Sequence, residues 1–92
     1  MKRHITIQVF GRVQGVCFRA CARKKATQLG LNGFVKNMPD TSVYIEAEGE
    51  EEALQSLVEW AQSGPPAAKV IQIQVEYSDL LREFADFEIR IW

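Results

Sequence analysis

The feature that most constrains the fold of this chain is the order in which two periodic patterns of apolar residues follow one another. Alternating apolar and polar residues predict a half-buried strand, whereas apolar residues three or four apart predict a helix with one packed face. The strand pattern occupies residues 5–10, 33–38, 42–48, 71–77 and 87–91, and the helical pattern occupies 18–29 and the stretch from Glu50 to a stop at Ser63-Gly64-Pro65-Pro66. The order β-α-β-β-α-β with a fifth strand at the end predicts an α+β, ferredoxin-like fold, with two helices on one face of a mostly antiparallel sheet.

Length and charge restrict what such a fold can do here. The chain has 92 residues, so we expect a single domain spanning residues 1–92 that is sufficient as a monomer. Its 11 Lys and Arg residues stand against 12 Asp and Glu residues, a net charge of −1, which creates no basic field to attract nucleic acid. No apolar run approaches the roughly 18 residues that cross a membrane, or forms a signal-peptide core of about 7–15 apolar residues. We therefore expect a cytoplasmic protein without a nucleic-acid or membrane partner.

Metal-binding and nucleophilic side chains are few. Cys17 and Cys21 are the only cysteines, and His4 is the only histidine. Two cysteines and one histidine are too few for a zinc site or a disulfide framework. His4 lies at the start of the chain, where we expect it at the edge of a strand, and this position does not suit a Ser-His-Asp triad. We therefore expect no metal site. We expect Cys17 and Cys21 to be small buried or half-buried thiols rather than a redox pair.

The segment between the first strand and the first helix has the composition of an anion site. It runs from Gly11 through Gly15 to Arg19. Glycines let backbone N–H groups surround a small anion, the helix N-terminus adds unpaired donors and positive potential, and an arginine binds phosphate with two hydrogen bonds. The spacing matches neither a Walker loop nor a dinucleotide-binding fingerprint. From composition and spacing alone, two interpretations of this segment are about equally supported: a phosphate-binding loop and an ordinary connection between a strand and a helix.

Two motifs resemble those of a known family. Residues 9–19, Val-Phe-Gly-Arg-Val-Gln-Gly-Val-Cys-Phe-Arg, closely resemble the first signature of the acylphosphatase family, with every specified position met. Residues 33–37, Gly-Phe-Val-Lys-Asn, followed by Val43 and Gly49 at the proper spacing, resemble the second signature. The motifs occur in the right order, and the resemblance covers essentially the whole chain.

The resemblance implies an enzyme that hydrolyses the carboxyl-phosphate bond of small acyl phosphates to a carboxylate and inorganic phosphate. It implies that this chemistry needs no metal, no other cofactor and no covalent phosphoenzyme. Arg19 would bind the phosphoryl group, and Asn37 would hold the attacking water in line with phosphorus. The phosphate would lie in a cradle of backbone N–H groups, those of Gly15, Val16, Cys17, Phe18 and Arg19.

Other side chains receive structural interpretations. Gln14 is expected to hold the loop through side-chain hydrogen bonds rather than to touch substrate. Thr41 stands where the family usually has a turn glycine, so a steric cost is expected there. Residues 23–25, Arg-Lys-Lys, are interpreted as a solvated helix face that raises the potential near the loop. Trp60 and Trp92 are expected to be packing or terminal groups.

Three other functions are open at this point. The same fold could serve as a non-catalytic module that binds a small anion or regulates, although the presence of Arg19 and Asn37 argues against it. It could bind RNA on the open face of its sheet. However, the sequence lacks the aromatic motifs of RNA-binding sheets, and its net charge of −1 does not attract RNA. It could also descend from a domain of a larger carbamoyl-phosphate-using enzyme, an origin that we rank low because the chain ends just after its fifth strand.

Overall fold

A computed structural model describes residues 1–91 and confirms the predicted order of elements. The strands are β1 (Lys2–Arg12), β2 (Asn32–Asn37), β3 (Val43–Glu50), β4 (Lys69–Ser78) and β5 (Phe87–Arg90), and the helices are α1 (Phe18–Gln28) and α2 (Glu51–Ala61). Trp92, for which we expected a packing or terminal role, lies outside the described residues. Within residues 1–91, neither helix is long and apolar enough to span a membrane.

The five strands form one sheet in the order β4-β1-β3-β2-β5. β1 pairs antiparallel with both β3 and β4, and β2 pairs antiparallel with β3. β5 is the exception, because it runs parallel to β2 at one edge. The chain thus has the predicted ferredoxin-like α+β fold, and the antiparallel pairing gathers the ends of β1 and β2 and the start of β3 at one end of the sheet.

Alternation along the strands decides which side chains meet the helices. Ile5 and Ile7 of β1 and Ile45 of β3 lie on the helix-covered face and are fully buried. The buried faces of the two helices pack against these strand residues. They consist of Phe18, Ala22 and Ala26 from α1 and Leu54, Leu57 and Ala61 from α2. Each fully buried Ile, Leu or Phe contributes about 1.5–3 kcal/mol relative to an exposed one, so this layer holds both helices on the sheet.

A bulge between β1 and β4 bends the chain into the loop that follows β1. The pairing register shifts between Phe10 and Gly11, which leaves Ile71 as an extra residue on β4. The Ile71 side chain is 74% exposed, although its strand pattern grouped it with the buried residues. Gly11 has φ +126°, and a Cβ at this position would collide with the carbonyl oxygen of Lys69, so only glycine fits the bend.

The face of the sheet opposite the helices is crossed by the segment that joins β4 to β5. The carboxylate of Glu48 accepts hydrogen bonds from two backbone N–H groups of this segment, those of Arg82 and Glu83. Phe84 of the same segment packs edge-on against Phe34, with the ring centroids 5.8 Å apart. Phe34 is therefore buried, and it does not offer the free stacking surface that recognition of RNA on such a sheet requires.

His4 lies inside β1, so the prediction that it sits at the edge of a strand is wrong. β1 is flanked by β3 and β4, and the buried His4 side chain has Nε2 2.9 Å from Oε1 of Glu46. The other carboxylate oxygen of Glu46 accepts a hydrogen bond from the hydroxyl of Tyr44 at 2.9 Å. Burial of the phenol and this hydrogen bond raise the pKa of Tyr44 to about 12, so the ring stays neutral. His4 belongs to a buried structural cluster.

The hairpin between β2 and β3 turns with Thr41 in the left-handed conformation. The N–H of Thr41 donates to the carbonyl of Met38 at 3.1 Å, and the N–H of Met38 donates to the carbonyl of Ser42 at 2.8 Å. This is the pattern of a three-residue loop, a type I turn with Pro39 in its second position followed by a left-handed residue that favours glycine. Thr41 has φ +77°. The turn therefore has the left-handed backbone conformation that favours glycine, although a β-branched residue occupies this position.

Replacing Thr41 by glycine should stabilise the protein. Removing the steric strain of a left-handed β-branched residue stabilises the folded state by about 1–2 kcal/mol. The greater conformational freedom of glycine in the unfolded chain offsets about half of that gain. We expect the free energy of unfolding, measured by urea denaturation, to rise by about 0.5–1 kcal/mol. Thr27→Gly makes the same change at an exposed position of α1 and should not raise it. An equal gain in both variants, or none at Thr41, would refute this account of the turn.

Candidate active site

The loop after β1 enters α1 through two left-handed residues. Gly15 has φ +75°, and Cys17, the residue that precedes the first turn of α1, has φ +63°. Left-handed residues within such a turn direct neighbouring N–H groups to one side, which creates a concavity that binds anions. Cys17 carries a side chain in a conformation that costs about 1–3 kcal/mol, and conformations of this kind concentrate at binding sites.

The N-terminus of α1 carries unpaired backbone donors. Among the described residues, no side chain caps the helix, and its first turn holds no acidic residue. The first helical hydrogen bond runs from the N–H of Cys21 to the carbonyl of Cys17 at 3.1 Å, so the N–H groups between them have no partner within the helix. The helix dipole adds positive potential at this end. An anion at this position would pair with donors that the fold leaves open.

Phe18 fixes where this helix end lies. Its side chain is fully buried in the core, with its ring centroid 5.1 Å from that of Trp60. The packing role expected for Trp60 is confirmed by this contact. Because the first residue of α1 is anchored, the donors of its first turn are held in place before any ligand arrives, which lowers the entropy lost on binding.

A pocket of about 360 Å³ opens beside the loop and joins the residues that the sequence singled out. Arg19, in the first turn of α1, lines it together with Asn37 from the end of β2. Arg19 is half-buried, and within the described part of the chain it forms no ion pair. A half-buried guanidinium without a carboxylate partner is suited to an external anion.

Asn37 lines this pocket, and its side chain has an unsatisfied acceptor. Its backbone pairs with Val43 in the β2–β3 ladder, yet its side-chain Oδ1 is buried and has no hydrogen-bond partner within residues 1–91. Leaving a buried polar atom unpaired costs about 1–3 kcal/mol. A group retained at that cost beside an arginine and a helix N-terminus is placed to bind a donor such as a water molecule or a substrate hydroxyl.

Gln14 ties the loop to the hairpin, as its sequence interpretation predicted. Its side-chain Nε2 donates hydrogen bonds to the backbone carbonyls of Met38 and Ser42, both at 2.9 Å. The loop leads to Arg19, and the hairpin begins one residue after Asn37. The two halves of the site are therefore connected by a single amide group.

The structure brings most of the predicted site residues together, with two differences. Gly15, Cys17, Phe18, Arg19 and Asn37 all line the pocket. Val16 instead packs its side chain against the core, so only its backbone is available for a role in the loop. Cys17 is exposed, which contradicts the expected buried or half-buried thiol, while Cys21 is half-buried as expected. Cys17 is exposed because its left-handed backbone places it at the mouth of the loop.

Sequence reasoning missed three residues of the pocket wall, Val13, Ala20 and Ile89. Ala20 follows Arg19 on α1, so its place in the pocket wall could have been predicted from its position on the helix. Ile89 comes from β5, and only the parallel pairing of β5 with β2 brings it next to Asn37. No local signal in the sequence reports that pairing.

Comparison with known proteins assigns the family. The family model for acylphosphatase matches residues 5–89. The chain belongs to the acylphosphatase family. A relative named acylphosphatase from Anaeromyxobacter dehalogenans (strain 2CP-C) is 48% identical over 84 residues, which cover 91% of this chain and 90% of the relative. The crystal structure of acylphosphatase from Bacillus subtilis matches with a TM-score of 0.93 at 44% identity, covering 98% of this chain and 99% of that one.

A third match shows the same fold inside a longer protein. Full-length HypF, in a phosphate- and nucleotide-bound form, matches with a TM-score of 0.89 at 33% identity, covering 98% of this chain and 12% of that one. The acylphosphatase fold thus also occurs as a segment of a much longer chain.

Family membership confirms the broad activity expected from the two motifs. The chain is an acylphosphatase-family hydrolase, an enzyme that hydrolyses acyl phosphates. Across residues 1–91, no three His, Cys, Asp or Glu side chains converge as a metal-binding group. The polar side chains that line the pocket are those of Cys17, Arg19 and Asn37.

Gln14→Ala should lower acyl phosphate turnover by about tenfold, because small misplacements of catalytic groups have large effects on rate. The variant loses both hydrogen bonds that Gln14 makes to the hairpin, while the backbone donors of the loop and of the start of α1 remain. The inhibition constant for inorganic phosphate should therefore change much less than kcat. Steady-state kinetics with benzoyl phosphate, with phosphate as competitor, measures both.

Gln8→Ala is the matched control for this prediction. Gln8 also donates to the hairpin, at the Ser42 hydroxyl (3.0 Å), but it lies on β1 outside the β1–α1 loop. Its removal should lower stability and leave turnover nearly unchanged. Equal losses of kcat in both variants would show that Gln14 acts only through overall stability.

Proposed function

We propose that this enzyme cleaves small acyl phosphates without a metal ion, by direct attack of water on phosphorus in the pocket between the β1–α1 loop and β2. The observation that carries the proposal is the buried, unpartnered Oδ1 of Asn37, in the same pocket as Arg19 and the uncapped start of α1. The products are a carboxylate and inorganic phosphate.

Arg19 and the backbone supply the positive charge. In phosphoryl transfer the enzyme mainly positions the reactants and stabilises charge on the equatorial phosphate oxygens. The guanidinium of Arg19 binds two of these oxygens, and the N–H groups of residues 15–19 surround the rest. The left-handed residues Gly15 and Cys17 and the uncapped helix support this assignment, because they leave neighbouring donors on one concave surface. In this proposal the charge that a metal ion would supply comes from the chain.

Asn37 orients the nucleophile. Its free Oδ1 accepts a hydrogen bond from the attacking water and holds the water's oxygen toward phosphorus. Holding two reactants in a productive geometry can account for a large part of a rate enhancement, because the entropy of bringing them together is lost before the reaction. A neutral amide positions water well but is a poor base, which limits Asn37 to this role.

The proton and the leaving group need no further side chain. The water oxygen forms a bond to phosphorus while the bond between phosphorus and the acyl oxygen breaks, and the electron pair leaves on the carboxylate. Because a carboxylate is a good leaving group, it departs without a general acid. A phosphate oxygen of the substrate takes the water's proton. A pH–rate profile and solvent isotope effects that revealed an essential base on the enzyme would overturn this step.

We propose that the enzyme acts as a cytoplasmic monomer. All side chains assigned to the reaction come from the β1–α1 loop, α1 and β2 of one chain, so the site is complete without a second copy. Cys17 and Cys21 are free thiols, as expected in a reducing compartment. Sedimentation of the purified protein tests the oligomeric state.

Hydrolysis of benzoyl phosphate in EDTA, measured for the wild type, Arg19→Gln and Asn37→Ala, tests the proposed mechanism. Removal of one preorganised donor to a developing anion typically costs about 10²–10³ in rate, and Arg19→Gln should lose at least that much because it also removes a charge. Asn37→Ala should lower kcat more than it weakens inhibition by inorganic phosphate. Wild-type turnover should persist in EDTA.

Two matched variants control this experiment. Arg12→Gln removes an exposed arginine from the end of β1, and Asn32→Ala removes an asparagine from the other end of β2; neither residue lines the pocket. Both should retain nearly full activity. If Asn37→Ala raised the phosphate inhibition constant and left kcat alone, water positioning would be the wrong role. A folded wild type without turnover would favour the non-catalytic anion-binding module.

A further inference from the structure

The pocket continues along α1 into a second, shallower depression. This depression, which we call the α1 groove, has a volume of about 380 Å³ and is lined by Ala20, Arg23, Lys24, Thr27, Gln28 and Ile89. Ala20 and Ile89 also line the pocket that holds Arg19 and Asn37, so the two depressions share a wall. The two depressions are therefore neighbours on the protein surface.

The α1 groove has small and apolar side chains at its inner end and positive charge at its rim. Arg23 and Lys24 are exposed, and among the described residues neither forms an ion pair. Within residues 1–91, no acidic side chain lines either depression. Arg23 lies four residues after Arg19, which places it about 6 Å further along the same helix face. Positive side chains thus continue for one helical turn beyond the proposed phosphate position.

We propose that the α1 groove receives the acyl group of the substrate, and that Arg23 and Lys24 favour acyl phosphates whose acyl group carries a second negative charge. This inference rests on the proposed function, in which the phosphoryl group lies at Arg19 and the start of α1. Ala20 and Ile89 contact the carbon skeleton of the acyl group. The second anionic group then meets Arg23 and Lys24 about one helical turn from the phosphate.

The direction of the reaction agrees with this placement. In-line displacement requires the acyl oxygen to leave on the side of phosphorus opposite to the attacking water. Asn37 lines the pocket but not the α1 groove, so the water and the leaving group have separate surfaces. Arg23 and Lys24 are specificity residues in this account, since they touch a part of the substrate where no bond changes.

The test compares two substrates that share one aromatic acyl skeleton, benzoyl phosphate and 4-carboxybenzoyl phosphate, of which only the second carries a carboxylate. For each, kcat/KM is measured in the wild type and in the double variant Arg23→Gln/Lys24→Gln. The ratio of the two losses cancels the intrinsic reactivity of the substrates. We expect the double variant to lose about three- to tenfold more on the carboxylated substrate, as for two exposed charge pairs. That excess loss should shrink at high salt, because ions screen exposed charges.

A charge-reversed variant and a matched control complete the experiment. Arg23→Glu/Lys24→Glu should discriminate against the carboxylated substrate more strongly than the glutamine pair does. Lys25→Gln removes one charge from the same helix but lines neither depression, so it should leave the substrate ratio unchanged. Normal hydrolysis of benzoyl phosphate with an unchanged ratio in the double variants would overturn this inference alone. A folded wild type that hydrolyses neither substrate would overturn the proposed function, and this inference with it.

Discussion

The register between β1 and β3 is the constraint on which the rest of the site depends. Val9, near the end of β1, pairs with Val43 at the start of β3, and Asn37 pairs with the same Val43 from the other side. The loop after β1 and the hairpin before β3 therefore leave the sheet at the same end. Because side chains alternate with period two, a slip of one residue between β2 and β3 would turn Asn37 to the opposite face of the sheet. The buried pair of Ile7 and Ile45 holds this register, so core packing and site geometry depend on the same strand pairing.

The site keeps several groups in states that a stable core would avoid. Cys17 is left-handed, α1 begins without a side-chain cap, and Oδ1 of Asn37 is buried without a partner in the described structure. A helix start without a cap costs about 0.5–2 kcal/mol, and a left-handed non-glycine residue or a buried unpaired acceptor costs about 1–3 kcal/mol. In the proposed mechanism, the bound phosphate pairs with the open helix donors and the attacking water pairs with Oδ1 of Asn37. The buried layer around Phe18 offsets these costs, since it anchors the start of α1 in the core. In the proposed mechanism, binding and catalysis use the donors and acceptors that the fold leaves unsatisfied.

Local pattern was enough to predict the order of elements, the fold and the residues of the loop, because periodicity and a glycine-containing turn report on neighbouring residues. It failed where a contact from a distant strand decides the outcome. Ile71 follows the alternation of β4, but the bulge opposite Gly11 turns its side chain to solvent. His4 is buried because the segment between β4 and β5 crosses the sheet face on which it lies, with the Phe84 ring centroid 6.4 Å from that of His4. Ile89 reaches the pocket only through the pairing of β5 with β2. Cys17 is exposed because of its own backbone angle, which residue type alone would not suggest.

The hairpin shows how a strained residue can lie close to the site without displacing it. The carboxylate of Asp40 accepts hydrogen bonds from the hydroxyl and the backbone N–H of Ser42, and these bonds hold the pKa of Asp40 below its usual range. The carboxylate therefore stays ionised at neutral pH, and its support of the turn is lost only as the pH falls through that lowered pKa. Gln14 holds the same turn from the loop side. The left-handed angle of Thr41 is confined between these contacts, so Asn37 keeps its place in the ladder with Val43 although the turn lacks the glycine that its geometry favours.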